Sequence, residues 1–259
     1  MDWSALPAFI FDLDGCVYTG RELVPGVVEV LDRLRASGRR ILFLTNNSRQ
    51  DGVELQAKLA GLGVAADRHE ILSAAEATGA EVRRRLGPVR ILAIGSPTLM
   101  RLLAEAGHTL VARDSTGVPD AVVIGHDSEF TYARLAALAR AVARGAAFFA
   151  VNVDPQLPLE GGTFLPGCGA LVEAVAVASG VRPEIIGKPR PTLFRAALAR
   201  LGVAAHDAAM VGDSLLADVQ GAQAVGLKTI WLAPPDAAPD VVRPDLAIRA
   251  FGELLPRLL

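Results

Sequence analysis

Short apolar runs alternate with amphipathic stretches along the chain. The runs that predict strands are 9–12, 40–45, 89–94, 121–124, 147–151, 184–187, 208–212 and 228–232. The stretches in which apolar residues recur at helical spacing are 25–37, 53–62, 98–106, 132–144, 170–179, 191–201 and 216–225. Continuous apolar strands between amphipathic helices are typical of a parallel sheet that is covered on both faces. The pattern therefore predicts an α/β fold with a doubly wound parallel sheet.

Three of these strands end abruptly on polar side chains. The first strand ends at Asp12, with Asp14 two residues later; the second ends at Thr45, followed by residues 46–47; and Asp213 follows the strand at 208–212. In a doubly wound sheet, ligands bind just beyond the carboxyl ends of the strands. Two carboxylates one residue apart repel each other unless a cation or a shared proton offsets the repulsion. We therefore expect a metal ion and an anionic substrate at this edge of the sheet.

The available ligand atoms favour a hard cation. Carboxylate oxygens of Asp12 and Asp213, completed by a backbone carbonyl and waters, suit Mg²⁺ better than a softer metal. The four histidines share no helical i, i+4 spacing, and the two cysteines, Cys16 and Cys168, lie far apart in the sequence. A zinc site is therefore not favoured.

Other residues near these strand ends suit a phosphate group. The segment Thr45-Asn46-Asn47 offers a hydroxyl and backbone N–H groups, which are common donors to phosphate oxygens. Lys188 is one of only three lysines in the chain and stands between a glycine and a proline. Its ammonium would add a positive charge to the same site. Metal, hydroxyl, amides and ammonium together predict a site for a phosphoryl group.

Two carboxylates beside a bound phosphorus suggest covalent catalysis. Asp12 can attack the phosphorus in line, expel the alcohol and form an aspartyl phosphate that water then hydrolyses. Asp14 can protonate the leaving oxygen and later take a proton from that water. One carboxylate thus acts as nucleophile and the other transfers protons.

Composition narrows the classes of function. A formal net charge of -2, without a dense basic tract, provides no electrostatic footprint for nucleic acid. No apolar stretch reaches the roughly 18 residues of a membrane span, and the N-terminal residues do not resemble a signal peptide. We therefore expect a cytoplasmic protein that binds neither nucleic acid nor a membrane.

The polar segments together resemble the motifs of the haloacid dehalogenase superfamily of phosphohydrolases. The matching segments, in the order of the family, are Asp12-Leu13-Asp14-Gly15, Thr45-Asn46, Lys188 and Gly212-Asp213-Ser214-Leu215-Leu216-Ala217-Asp218. The resemblance implies that Asp12 is nucleophile and metal ligand, and that Asp14 is acid/base and a ligand through its carbonyl. It also implies that Asp213 is the third ligand of Mg²⁺.

The same resemblance implies roles for the neighbouring residues. Thr45, Asn46 and Lys188 would hold the phosphate, with Asn47 beside them. Asp218 would orient Lys188 or the metal ligands, and Ser214 would support the metal ligands as well. The interval between the first two motifs is too short for a cap domain, whereas the interval before Lys188 is long. The predicted domains are therefore a catalytic core at 1–79 and 185–259 and an α/β cap at 80–184.

Four further segments resemble the NagD and p-nitrophenylphosphatase-like branch of the family: Thr45-Asn46-Asn47-Ser48, Phe130-Thr131-Tyr132, Asn152-Val153-Asp154 and Pro166-Gly167-Cys168-Gly169-Ala170. The branch implies substrate contacts from Asn152 and Asp154, a homodimer through the cap, and a small-molecule phosphomonoester as substrate. Phosphoglycolate, pyridoxal phosphate, nucleotides and sugar phosphates are the candidates. One departure is Val151, which stands where the branch has a threonine.

Other functions on the same fold stay open at this point. A phosphotransferase would use the same residues with an alcohol in place of water. A non-catalytic protein that binds phosphometabolites would be expected to have lost a motif residue, and none is lost. Hydrolysis of a carbon–halogen bond would need neither a metal nor an acid at Asp14, so Asp14 and Asp213 argue against it.

Overall fold

The computed structural model describes residues 2–158, 163–234, 237 and 242–258. The helices in this part of the chain are α1 (Val27–Ala36), α2 (Gly52–Gly61), α3 (Ala74–Leu86), α4 (Pro97–Glu105), α5 (Tyr132–Ala143), α6 (Cys168–Ser179), α7 (Pro191–Leu201) and α8 (Gly221–Gln223). A π-helix, Leu215–Gln220, runs directly into α8. None of the described helices combines the length and the apolar character that crossing a membrane requires.

The strands in the described residues are β1 (Ala8–Phe11), β2 (Tyr18–Thr19), β3 (Glu22–Leu23), β4 (Arg40–Thr45), β5 (Ile71–Ser73), β6 (Arg90–Ile94), β7 (Thr109–Leu110), β8 (Ala121–Ile124), β9 (Ala147–Ala150), β10 (Gln156–Pro158), β11 (Phe164–Pro166), β12 (Glu184–Ile185), β13 (Ala208–Gly212), β14 (Lys228–Leu232) and β15 (Leu246–Ile248). Each apolar run of the sequence forms a strand. The predicted α/β class is therefore confirmed, and the strand pairs of the two larger sheets in the described residues are parallel.

Two compact units divide the chain. The first comprises Met1–Thr45, Gly52–Leu72 and Lys188–Leu259, and the second comprises Asn46–Asp51 and Ser73–Gly187. These limits differ from the predicted ones because α3, which begins at Ala74, packs on α4 and so belongs to the second unit. The assignment of one unit as catalytic core and the other as cap stays a prediction.

The first unit is built on a sheet with the strand order β15-β14-β13-β1-β4-β5. The pairs β14–β15, β13–β14, β1–β13 and β1–β4 are parallel. The central strand β1 is buried along its whole length, and the ring of Phe11 packs against Phe43 and Phe251 at centroid distances of 6.4 and 6.3 Å. Burial on both faces explains why this strand reads as a continuous apolar run.

The second unit contains a smaller sheet with the order β12-β9-β8-β6-β7, whose described pairs are parallel. Strand β8, the central strand of this sheet, is buried along its whole length. Helices α5 and α6 pack together over this sheet with Leu138, Val142, Val172 and Val175 in the core. This unit is a separate α/β layer structure with its own core.

The structure contains elements that the apolar pattern did not predict. Helix α3 was missed, although Ser73 and Glu76 form a capping box at its start. The Gly- and Pro-rich stretch 155–169, in which the apolar pattern predicts no strand, contains the antiparallel pair β10–β11, while residues 159–162 lie outside the described part. The helix predicted at 216–225 is a π-helix followed by a single turn of α-helix.

Candidate active site

The strand order of the first unit brings distant acidic residues to one place. From β1 the chain continues to β4 and β5 on one side, and later to β13, β14 and β15 on the other. The boundary between β1 and β13 is therefore a topological switch point, where open parallel sheets bind their ligands. Asp12 directly follows β1, and Asp213 directly follows β13. The sheet topology thus explains why two residues so far apart in sequence are neighbours.

A buried lysine connects three segments at this switch point. The Nζ of Lys188 donates hydrogen bonds to Oδ1 of Asp12 at 2.6 Å, to Oδ1 of Asp218 at 2.7 Å and to the carbonyl of Leu44 at 3.2 Å. The side chains of Lys188 and Asp218 are almost fully buried, and Asp12 is 7% exposed. Lys188 therefore joins the ends of β1 and β4 to the π-helix that follows β13.

Three carboxylates are close enough to bind one cation. Oxygen atoms of Asp12, Asp213 and Asp218 all lie within 4.8 Å of one another. An all-oxygen donor set of this kind suits a hard divalent cation. The residues present therefore fit a divalent metal ion.

Asp218 differs from the other two carboxylates in how its oxygens are used. Oδ1 accepts from Lys188, and Oδ2 accepts from the backbone N–H of Ser214 at 3.0 Å. Ser214 is the N-cap of the π-helix, and its hydroxyl accepts from the N–H of Ala217 at 3.0 Å. Asp218, one turn into this helix, therefore contacts the backbone at the start of the helix. Because both oxygens of Asp218 are engaged within the protein, Asp12 and Asp213 are the better candidates for metal ligands.

The loop after β1 approaches Asp213 closely. Gly15 has a φ of +91°, and a Cβ at this position would collide with the carboxylate of Asp213. The backbone carbonyl of Asp213 accepts from Nε1 of Trp231 at 2.8 Å. A glycine in the loop and a tryptophan on the neighbouring strand therefore define the space around Asp213.

The charges in the cluster perturb one another. Burial raises the pKa of Asp12 well above its usual range, against the opposing effect of Lys188. Burial and the nearby Asp218 raise the pKa of Asp213 to about 6. Burial alone would lower the pKa of Lys188, but the carboxylates of Asp12 and Asp218 raise it above its usual value. Lys188 is therefore charged, and a bound cation would offset the cost of ionising Asp12 and Asp213 in this buried place.

Asp14 lies in a different environment from Asp12. Its side chain is 62% exposed, its Oδ2 accepts from the hydroxyl of Tyr18 at 3.4 Å, and its Oδ1 lies 3.9 Å from Nζ of Lys58. Lys58 also lies over the ring of Tyr18, with Nζ 3.7 Å from the centroid. Neither Tyr18 nor Lys58 was predicted to belong to the site, although lysine is rare in this chain.

Thr45 is a buried residue at the carboxyl end of β4, beside β1. The predicted partners Asn46 and Asn47 belong to the second unit. Oδ1 of Asn47 accepts from the N–H groups of Arg49 and Gln50 at 2.8 and 2.9 Å, so this side chain shapes its own turn. An Asx turn of this kind is a common role for asparagine.

The predicted cap contacts lie beside Asn46 in the second unit. The side-chain amide of Asn46 donates to Oδ1 of Asp154 at 3.1 Å, and that of Asn152 donates to the carbonyl of Asn46 at 2.6 Å. Oδ1 of Asn152 also accepts from the N–H of Asp154 at 3.2 Å. The structure therefore brings these three predicted site residues together, while their contact with a substrate stays a prediction.

Comparisons with known proteins agree with this geometry. The model of the haloacid dehalogenase-like hydrolases matches residues 9–109, and a HAD-hydrolase-like model matches residues 185–249. An acid sugar phosphatase of Staphylococcus aureus is 36% identical over 223 residues, which are 86% of this chain and 85% of the relative.

Solved structures resemble the whole chain. A 4-nitrophenylphosphatase from Thermotoga maritima aligns with a TM-score of 0.90 and 29% identity over 99% of this chain and 98% of its own. A glycerol phosphate phosphatase from Mycobacterium tuberculosis, solved in complex with magnesium, aligns with a TM-score of 0.87 and 34% identity over 96% of this chain and 76% of its own. The chain therefore belongs to the haloacid dehalogenase-like hydrolases, within the branch of NagD and p-nitrophenyl phosphatases, and it is a phosphatase of that branch.

Proposed function

We propose that the protein hydrolyses small-molecule phosphomonoesters with the help of Mg²⁺, through an aspartyl phosphate on Asp12. The observation that carries the proposal is the position of Asp12, a buried carboxylate at a sheet switch point between Lys188 and Asp213. Burial strips water from this carboxylate, and Lys188 holds it in one orientation. An oriented and poorly hydrated carboxylate is suited to attack on phosphorus.

The reaction follows from the roles of two carboxylates. Asp12 forms a bond to phosphorus as the ester P–O bond breaks, and Asp14 donates a proton to the leaving alcohol oxygen. In the second half, Asp14 takes a proton from a water molecule that attacks phosphorus, and the bond between Asp12 and phosphorus breaks to release inorganic phosphate. The exposed side chain of Asp14 supports this role because it can exchange protons with bulk water.

The remaining predicted residues bind and orient. Asp12, Asp213 and the carbonyl of Asp14 would hold Mg²⁺, which would supply positive charge to the phosphoryl oxygens. Lys188 and Thr45, with Asn46 and Asn47, would hold the phosphate oxygens. The contacts of Asp218 with Lys188 and Ser214 support a positioning role for it.

The substrate is proposed only as a class. Relatives are named as acid sugar phosphatase, p-nitrophenyl phosphatase and glycerol phosphate phosphatase. We infer a small phosphorylated metabolite, with phosphoglycolate, pyridoxal phosphate, nucleotides and sugar phosphates as the first compounds to assay. Asn152 and Asp154 are proposed to contact it from a cap formed by the second unit. A cytoplasmic location and a homodimer through that cap stay predictions.

The decisive experiment removes the nucleophile. We expect the wild-type protein to release p-nitrophenol from p-nitrophenyl phosphate when Mg²⁺ is present, and Asp12→Asn to lose at least about 10³-fold in kcat/KM. Asp32→Asn, an exposed aspartate on α1, is the matched control and should retain activity. Acid-quenched wild-type protein given ³²P-labelled substrate should carry label on Asp12. Full activity in Asp12→Asn would refute the nucleophile assignment.

A further inference from the structure

Lys58 lies beside Asp14, the proposed acid/base residue, and has no role in the proposed function. It extends from α2 and is half-buried, with 32% of its side chain exposed. Its ammonium lies 3.7 Å from the centroid of the Tyr18 ring and 3.9 Å from Oδ1 of Asp14. A cation over the face of an aromatic ring is attracted by the electrons of that face.

Tyr18 provides a fixed support for this ammonium. The residue is fully buried, and its carbonyl accepts from the N–H of Gly15 at 2.8 Å while its N–H donates to the carbonyl of Leu13 at 3.1 Å. The loop that carries Asp14 is therefore closed on Tyr18 by main-chain hydrogen bonds. Burial and the nearby Asp14 raise the pKa of Tyr18 above its usual value, so its hydroxyl keeps its proton.

The two groups contact different oxygens of Asp14. The Tyr18 hydroxyl donates to Oδ2 at 3.4 Å, whereas the Lys58 ammonium faces Oδ1. The Asp14 side chain is otherwise mostly exposed, and an exposed carboxylate samples several rotamers. Contacts with both oxygens restrict the rotation of the carboxylate, which is the property that a proton donor in a transition state needs.

We propose that Lys58, held over the Tyr18 ring, is a positioning residue that orients the Asp14 carboxyl for proton transfer to the leaving oxygen. This inference rests on the proposed function. In this step the ester P–O bond breaks, its electron pair goes to the leaving oxygen, and that oxygen takes the proton from Asp14. Lys58 keeps its own protons throughout. Replacing Lys58 should therefore lower the rate most for substrates whose leaving oxygen needs the proton from Asp14.

Two aryl phosphates separate positioning from general damage. 4-Nitrophenolate leaves readily without a proton, whereas phenol has a pKa of about 10, like tyrosine, and leaves poorly as an anion. Lys58→Met keeps much of the apolar stem and removes the charge. We expect it to lower kcat/KM for phenyl phosphate about tenfold and that for 4-nitrophenyl phosphate less than about twofold. Lys58→Arg, which keeps the charge, should restore most of the wild-type ratio.

Controls distinguish the possible failures. Lys228→Met, which removes a lysine from β14, should leave both rates and their ratio unchanged. Equal losses on both substrates in Lys58→Met, or no loss on either, would overturn the positioning role. Asp14→Asn tests the underlying chemistry in the same assay. If Asp14→Asn changes the ratio and Lys58→Met does not, only the inference about Lys58 fails; if Asp14→Asn leaves the ratio unchanged, the proposed acid role of Asp14 fails.

Discussion

Removing the positive charge at Lys188 should strongly destabilise the first unit. Its Nζ lies 2.6 Å from Asp12 and 2.7 Å from Asp218, and all three side chains are buried. Lys188→Met would leave these carboxylates, with Asp213 beside them, in a poorly hydrated cluster without a counter-charge. Loss of one partner from a buried ion pair costs about 3–5 kcal/mol. We therefore expect the free energy of unfolding to fall by about that amount in metal-free buffer.

Urea denaturation followed by tryptophan fluorescence measures this loss selectively. Both tryptophans of the chain, Trp3 and Trp231, are buried in the first unit, so their emission reports the unfolding of that unit. With an m value of about 2.5 kcal/mol per M, the expected loss lowers the midpoint by roughly 1–2 M urea. Lys228→Met is the matched lysine control and should shift the midpoint much less.

A second variant tests the cause of the loss. The double variant Lys188→Met/Asp218→Asn removes one of the stranded charges, so it should be more stable than Lys188→Met alone. A loss below about 1 kcal/mol in Lys188→Met would refute the view that Lys188 neutralises a buried cluster. The same conclusion would follow if the double variant were no more stable than the single one.

Three further outcomes can be measured. Gly15→Ala should lower activity far more than Gly38→Ala. Both glycines have a positive φ, but only at Gly15 would the new Cβ collide with Asp213. Equal losses of activity in steady-state assays would contradict this prediction. Mg²⁺ at about 100 times its Kd should stabilise the wild-type protein by about 2.7 kcal/mol, measured by thermal unfolding. Asp213→Asn should be stabilised much less, and equal stabilisation of the two proteins would exclude this carboxylate as a ligand. Because burial raises the pKa of Cys16 well above its usual value and that of Cys168 to about 12, iodoacetamide at pH 8 should label neither thiol until the protein is unfolded, as mass spectrometry would show.

The apolar pattern predicted the central part of the fold because the central strands are buried on both faces. β1 and β13 consist of buried apolar residues, so each reads as a continuous run that ends at an acidic residue. Parallel pairing then brings those ends together, which is why the positions of Asp12 and Asp213 could be anticipated from sequence. The chemical motifs mark the same strand ends.

The missed elements carry weaker apolar signals. Helix α3 contains three consecutive arginines and buries mainly alanine, glycine and threonine, so it lacks a stripe of large apolar residues. Its start is nevertheless marked in the sequence by Ser73 and Glu76, whose capping box satisfies two helix N–H groups. The pair β10–β11 was missed because its residues are largely exposed and flanked by proline and glycine.

The contacts of Asp14 could not have been predicted from spacing. Tyr18 lies four residues later in the same loop, but Lys58 comes from α2, and only the fold places its ammonium over the Tyr18 ring. No periodicity in the sequence relates these two residues. The sequence marked Lys58 only as one of three lysines in the chain, and this rarity did not show which acidic group its ammonium would face.

The charges of the site explain how an anionic nucleophile can approach an anionic substrate. When ionised, the carboxylates of Asp12, Asp213 and Asp218 carry three negative charges, and Lys188 offsets one of them. A divalent cation would neutralise the remainder, so a phosphoryl group would meet a site without net charge. Asp14 stands outside this balance because Lys58 provides its own nearby positive charge. The buried carboxylates and the exposed one therefore have separate counter-charges, Lys188 for the former and Lys58 for the latter.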